Sequence, residues 1–188
     1  MCGIIGIVGK EPVTARLIES LKRLEYRGYD SAGVATIHDG KLDRRRAQGT
    51  IRALEAVLAE QPLSATVGIG HTRWATHGVP SERNAHPHRS GRVSLVHNGI
   101  IENFAELKAE LMEKGRAFES DTDTEVIAAL LDHELTAGKS PTEALIITPR
   151  SARIERVIIA TPGVGSGPNR RTSMPCEVKP ATSAGSIM

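Results

Sequence analysis

Cysteine is nearly absent from this chain: two in 188 residues, Cys2 and Cys176, far apart in the sequence. Two cysteines make no disulfide framework and cannot alone build a zinc site, so a reducing compartment is the default. An excess of one charge is missing too. The 24 Lys+Arg and 22 Asp+Glu leave a net charge of +2, without the clustered basic surplus that marks a nucleic-acid or membrane surface. The run Arg44-Arg45-Arg46 reads as a solvated strand or loop face rather than a patch for a polyanion. No stretch approaches the ~20 apolar residues that span a bilayer. The apolar opening at residues 4–8 is too short for a signal-peptide core and has no basic segment before it. The expected location is the cytoplasm, with no nucleic acid and no membrane as partner.

Aromatics are absent from one region in particular. All five (Tyr26, Tyr29, Trp74, Phe104 and Phe118) lie before residue 148. Residues 148–188 hold five of the ten prolines and six basic against two acidic residues. Apart from 156–160, readable as a short strand, this segment has no periodic apolar pattern. It cannot bury enough apolar surface to offset its ordering entropy, so disorder is expected there. The folded domain is expected over residues 2–147.

Within that body, apolar runs and helical spacings alternate. Strands are predicted at 3–8, 32–37, 41–47, 66–72 and 92–97, with Asp39-Gly40 as the hairpin turn between the second and third. Val13, Leu17, Leu21 and Leu24 recur at helical spacing over 12–26. Further helices are predicted at 50–60, at 103–114, from a capping box at Thr122-Asp123-Thr124-Glu125 to about 137, and from Ser140 onward. Strands joined by a tight hairpin, with helices between, argue for antiparallel sheets covered by helices: an α+β fold.

The chemistry centres on Cys2. Removal of Met1 would leave a thiol and a free α-amine on one residue, a nucleophile with its own base, since an α-amine titrates near ~7.7–8.0. On position alone Cys2 reads equally as a small buried residue opening a strand. Four polar islands follow: EYRGYDSAG at 25–33, HTRWATHG at 71–78, HNGIIEN at 97–103 and SDTDTE at 120–125, with NAHPH at 84–88. Arg73 offers the planar fork that suits a carboxylate, or simply a partner for a structural carboxylate. Asp123 offers a charge for an ammonium, or only a helix-start acid favoured by the dipole. Five of the seven histidines fall between His71 and His97. Their spacings match no common zinc pattern, and structural or substrate-shell roles are expected for them, with no metal.

Taken together and in order, these islands resemble the class II glutamine amidotransferases, whose glutaminase domain is an N-terminal-nucleophile hydrolase. The wording is most similar to the glutamine–fructose-6-phosphate aminotransferase family, over roughly residues 2–147. HTRWATHG and NAHPH set it apart from the amidophosphoribosyltransferase and asparagine synthetase branches. The resemblance implies a four-layer αββα sandwich of antiparallel sheets, incomplete here on its C-terminal side. It implies Cys2 as the nucleophile on glutamine's carboxamide, with Asn98 and the Gly99 N–H as oxyanion donors. Arg73, Thr76, His77 and Asp123 are implied to hold L-glutamine, Trp74 to gate ammonia passage, and the loop with Arg27, Tyr29 and Asp30 to pack near the nucleophile. No cofactor is implied. The sugar-phosphate isomerase half that accepts ammonia in the family, and with it the family's homodimer, is absent from residues 148–188. A frameshift near codon 148 or a non-catalytic remnant are the expectations that follow from that absence.

Overall fold

The computed structural model describes residues 2–75, 77–152, 156–161 and 176–178. Chain order is β1 (Gly3–Val8), α1 (Thr14–Lys22), β2 (Ser31–His38), β3 (Lys41–Gln48), α2 (Ile51–Glu60), β4 (Val67–Arg73), β5 (His88–Ser90) and β6 (Val93–Asn98). There follow α3 (Phe104–Glu113), α4 (Thr124–Thr136), α5 (Pro141–Ala152), β7 (Arg156–Ala160) and β8 (Cys176–Val178). One sheet runs β1-β4-β2-β3 and the other β5-β6-β7-β8, and all pairings are antiparallel.

Three separate apolar clusters show the layering. Val13 at the N-cap of α1, Leu17 and Leu21 within it, and Ile51 and Leu54 of α2 pack with Ala32 and Val34 of β2. Ala35 and Ile37 of β2, Val67 and Ile69 of β4, Val96 of β6 and Ala160 of β7 fill the space between the sheets. Val93, Leu95 and Ile159 meet α4 through Val126, Ile127, Leu130 and Leu131. Strand side chains alternate between faces, so each inner strand feeds one helix-facing and one sheet-facing cluster. The result is the α+β four-layer αββα sandwich expected from the sequence. The Lys22–Glu55 ion pair joins α1 to α2, but both partners are about 40% exposed, and solvent screens such pairs so that they contribute little. Burial holds those helices: each fully buried Leu or Ile is worth ~1.5–3 kcal/mol.

Local signals were met with two differences. The Asp39-Gly40 hairpin joins β2 to β3 in full register, His38 opposite Lys41 and Ser31 opposite Gln48. Ser140 and Glu143 form a reciprocal cap at α5: Ser140 Oγ accepts from the Glu143 N–H at 3.3 Å and Glu143 Oε2 accepts from the Ser140 N–H at 2.9 Å. At α4, by contrast, the anticipated capping box does not form. Glu125 instead turns back to accept from the Glu119 N–H (2.8 Å), the Ser120 N–H (2.6 Å) and Ser120 Oγ (2.6 Å). Three donors on a nearly buried carboxylate outbid the single N-cap contact. The short β5 carries too few residues to show a period, and the sequence reading has no strand there. The strand read at 156–160 is β7, paired with β6 from Ser94–Ala160 to Asn98–Arg156. The remaining residues of the 148–188 segment, apart from 148–152, 161 and β8, lie outside the described residues.

Candidate active site

The register of β1 on β4 sets the nucleophile's position. Gly3 pairs with Thr72, and the Gly3 N–H donates to Thr72 Oγ1 at 2.9 Å. Cys2 therefore meets the chain as it leaves β4. The Trp74 N–H points at Cys2 Sγ at 3.2 Å, and the thiol lies 3.7 Å from the Trp74 carbonyl. The sulfur is partly exposed, so it is held by backbone yet open to a small molecule. Trp74 is 55% exposed. Its ring lies over Gly28, where a Cβ would stand 2.8 Å from the indole.

Across the sheets, Asn98 closes β6. Its Nδ2 donates to the Cys2 carbonyl at 3.2 Å, and its Oδ1 faces His71 Nε2 at 2.8 Å. Gly99 follows with φ +149, a backbone conformation that residues with a Cβ rarely adopt. That turn brings the chain away from the strand directly after the amide.

Arg73 ends β4 on the same face as Val67, Ile69 and His71, two residues apart each time. Only 4% exposed, its guanidinium donates through Nη2 to the carbonyls of His77 and, at 3.1 Å, Gly78. Among the described residues Nη1 makes no hydrogen bond, and it lies 3.9 Å from Asp30 Oδ1. Burial pushes the Arg73 pKa down, opposed by Asp30, Cys2 and Asp123; a guanidinium stays charged regardless. Asp30 is itself anchored, accepting from the Ala75 N–H at 2.5 Å and Ser31 Oγ at 3.1 Å. A buried, charged fork with a nitrogen unpaired among the described residues has the chemistry to receive an anionic oxygen.

Asp123, 3% exposed, stands at the N-cap of α4. Its Oδ2 accepts from the Ile101 N–H at 2.9 Å and lies 4.0 Å from His77 Nδ1. The His77 ring sits edge-on to Phe104 at 5.2 Å. Behind Asp123 runs a buried chain of hydrogen bonds. His88 Nε2 lies 2.9 Å from Thr122 Oγ1, Thr122 Oγ1 lies 2.9 Å from Ser120 Oγ, and Ser120 Oγ donates to Glu125.

Cys2, Trp74, Arg73 and Asn98 thus converge at one end of the sandwich. Gly99 and Asp123 join them through the turn that carries Ile101. Thr76 lies outside the described residues. Two groups to which the sequence reading gave no specific role stand close by: Asp30, expected only in a loop near the nucleophile and here the counter-charge of Arg73, and His71, the partner of Asn98. His71 was legible by parity, since it shares a strand face with Arg73. Among the described residues no group of three or more His, Cys, Asp or Glu side chains is placed to hold a metal ion, and no helix is long and apolar enough to cross a membrane.

The profile of the family described as "Glutamine amidotransferase domain" matches residues 55–144. Glutamine phosphoribosylpyrophosphate amidotransferase from B. subtilis, a solved structure, superposes with a TM-score of 0.72 at 26% identity, covering 86% of this chain and 35% of that one. The chain has the fold of a glutamine amidotransferase domain of the N-terminal-nucleophile type, and residues 55–144 match the glutamine amidotransferase domain family. Within it, this chain is 75% identical over 148 residues to the glutamine–fructose-6-phosphate aminotransferase [isomerizing] of Caulobacter vibrioides, covering 79% of this chain and 24% of that protein. The enzymes of the same name from Zymomonas mobilis and Brucella suis are each 63% identical over 145 residues. The chain spans about a quarter of the length of these relatives.

Proposed function

We propose that this chain hydrolyses L-glutamine to glutamate and ammonia through a Cys2 thioester, the ammonia-producing half of an amino-sugar synthase. The observation that carries the reading is the gathering around Cys2 of the Trp74 N–H on its Sγ (3.2 Å), the Asn98 Nδ2 on its carbonyl oxygen (3.2 Å) and, at the end of β4, a buried guanidinium whose Nη1 makes no hydrogen bond among the described residues. With Met1 removed, the Cys2 α-amine takes the thiol proton, through water, and Sγ attacks the side-chain carbonyl carbon. The C=O electrons move to oxygen, where Asn98 Nδ2 and the Gly99 N–H receive the oxyanion. Its collapse breaks the C–N bond, the stored proton leaves with the nitrogen as ammonia, and water then cleaves the thioester.

In this reading Arg73 Nη1 holds the substrate's α-carboxylate, Asp123 its α-ammonium, Thr76 and His77 contact the substrate, and Trp74 covers the exit. By the relatives' names, the acceptor of the ammonia is fructose 6-phosphate, bound by a portion of those proteins beyond this chain's matched length, and the homodimer belongs to that full length. A thiol nucleophile needs a reducing compartment, which supports the cytoplasm.

The test is a glutaminase assay paired with mass analysis of the N-terminus. Protein lacking Met1 is expected to release glutamate and to be alkylated at Cys2 by a glutamine-analogue electrophile. Met1-free protein that neither turns over glutamine nor shifts its melting temperature with it would leave the non-catalytic reading standing.

A further inference from the structure

We propose that His71 is a positioning residue for the oxyanion donor: its Nε2–H fixes which way the Asn98 amide faces. The inference rests on the amidase reading of the site, and deepens it.

The argument begins with what Asn98 touches. One end of its amide is 3.2 Å from the Cys2 carbonyl oxygen, an atom that only accepts. A donor must face it, so that end is NH₂. The other end, Oδ1, is then an acceptor pointing at His71 Nε2, 2.8 Å away. A bare nitrogen there would set two lone pairs against each other inside the protein, a contact that costs rather than stabilises. His71 must carry its proton on Nε2. Its Nδ1, which makes no hydrogen bond among the described residues, is the bare nitrogen of the neutral ring. The two contacts together allow one orientation of the amide, and the second Nδ2 hydrogen is left for the developing oxyanion beside Sγ.

The ring's surroundings suit that task. His71 is fully buried on the inner strand β4, and burial pushes its pKa down to about 4, so the ring is neutral at neutral pH and its contacts choose the tautomer. The His86 ring packs on its face, centroids 4.2 Å apart, and His88 packs on His86 at 4.6 Å. This stack fixes the imidazole plane. Asn98 lies in the opposite sheet, 27 residues away in sequence. The hydrogen bond therefore ties the oxyanion donor to the strand that also carries Arg73.

A double-mutant cycle on the full chain tests the proposal. His71→Leu, which keeps size and loses the donor, is expected to lower kcat for glutamine about 10- to 100-fold while KM changes less than about 3-fold. His71→Gln, which restores an N–H donor, is expected to recover part of that loss. Alkylation of Cys2 by iodoacetamide, which needs no oxyanion site, is expected to stay within about 2-fold. In an Asn98→Ala background, His71→Leu is expected to add almost nothing. Additive losses in the double variant would overturn the proposal, as would a rise in KM with kcat unchanged. Should His71→Leu fail to fold, the Gln variant and ¹⁵N NMR of the wild-type imidazole decide: protonated Nε2 with bare Nδ1 supports the assignment, and the other tautomer overturns it. A wild-type chain that hydrolyses no glutamine defeats the amidase reading, and the same NMR measurement still rules on the His71 proton.

Discussion

Arg73 Nη1 stands 3.9 Å from Asp30 Oδ1, near enough for the charges to offset each other and too far for a hydrogen bond. The guanidinium is thereby neutralised in the buried site without being used up. A tight bidentate pair would have closed Arg73 to a ligand; carbonyls on Nη2 alone would have left an uncompensated charge.

The first prediction follows from that geometry. Arg73→Lys keeps the charge but loses the planar fork that lets Nη2 face two carbonyls while Nη1 points elsewhere, a spread that a compact ammonium does not reproduce. A charged hydrogen bond is worth ~1.5–3 kcal/mol, so KM for glutamine should rise about 10- to 100-fold with a smaller change in kcat. Steady-state glutaminase kinetics would read it, and an unchanged KM would remove Arg73 from the substrate's carboxylate.

Gly33 on β2 is required for space. A Cβ there would lie 2.2 Å from the His86 carbonyl oxygen and 2.9 Å from that of Arg45, both backbone atoms. Gly33→Ala must displace the 84–88 segment or bend β2, at a cost of ~1–3 kcal/mol for such overpacking. Urea denaturation is expected to show that loss; a midpoint equal to wild type would mean the segment moves freely.

Acid should unfold the protein through its histidine stack. His71, His86 and His88 all have pKa values pushed down, desolvation being the main cause, joined by repulsion from neighbouring histidines and arginines. A base with a lowered folded pKa binds its proton more readily in the unfolded chain. Stability is then full above the ordinary histidine value of 6.5 and falls as pH drops below it, down to about 4 for His71. His71 alone accounts for ~2 kcal/mol by pH 5, at ~1.4 kcal/mol per pH unit, and the other two act in the same direction. A urea midpoint that stays flat from pH 7 to 5 would contradict this account.

Glu125 holds the 119–123 segment and so places Asp123. Its carboxylate accepts three hydrogen bonds from Glu119 and Ser120 while only 4% exposed. Glu125→Gln puts an NH₂ against donors and should cost ~1–3 kcal/mol of stability, together with a raised KM for glutamine. Melting curves and kinetics measured on one preparation would separate the two effects; loss of stability with an unaltered KM would confine Glu125 to folding.

The sequence made the layers readable and the site's residues readable by their islands, but not the contacts between them. Helix and strand positions follow from local periods: Leu17 and Leu21 for α1, the Asp39-Gly40 turn for the hairpin. The capping box expected at Thr122, which does not form, and the unforeseen pairing of Asp30 with Arg73 have a common cause. In each case the deciding partner is fixed by tertiary contact, Glu125 by the 119–120 backbone and Asp30 by the end of β4, and local spacing gives no account of that competition. His71 was hidden for a related reason. Its partner Asn98 sits in the other sheet, so only strand parity with Arg73 hinted at its direction.

The antiparallel pairing of β1 with β4 also has a consequence during synthesis. Cys2 meets Asn98 across 96 positions of chain, and Asp123 is later still. At ~5–20 residues per second, the ribosome takes roughly 6–25 s to add residue 123, and until then the set of groups that gathers around Cys2 is incomplete. A nascent chain therefore exposes its most reactive atom first and encloses it last. The proposed trimming of Met1 needs only the emerged N-terminus, whereas assembly of the pocket waits for residues added later.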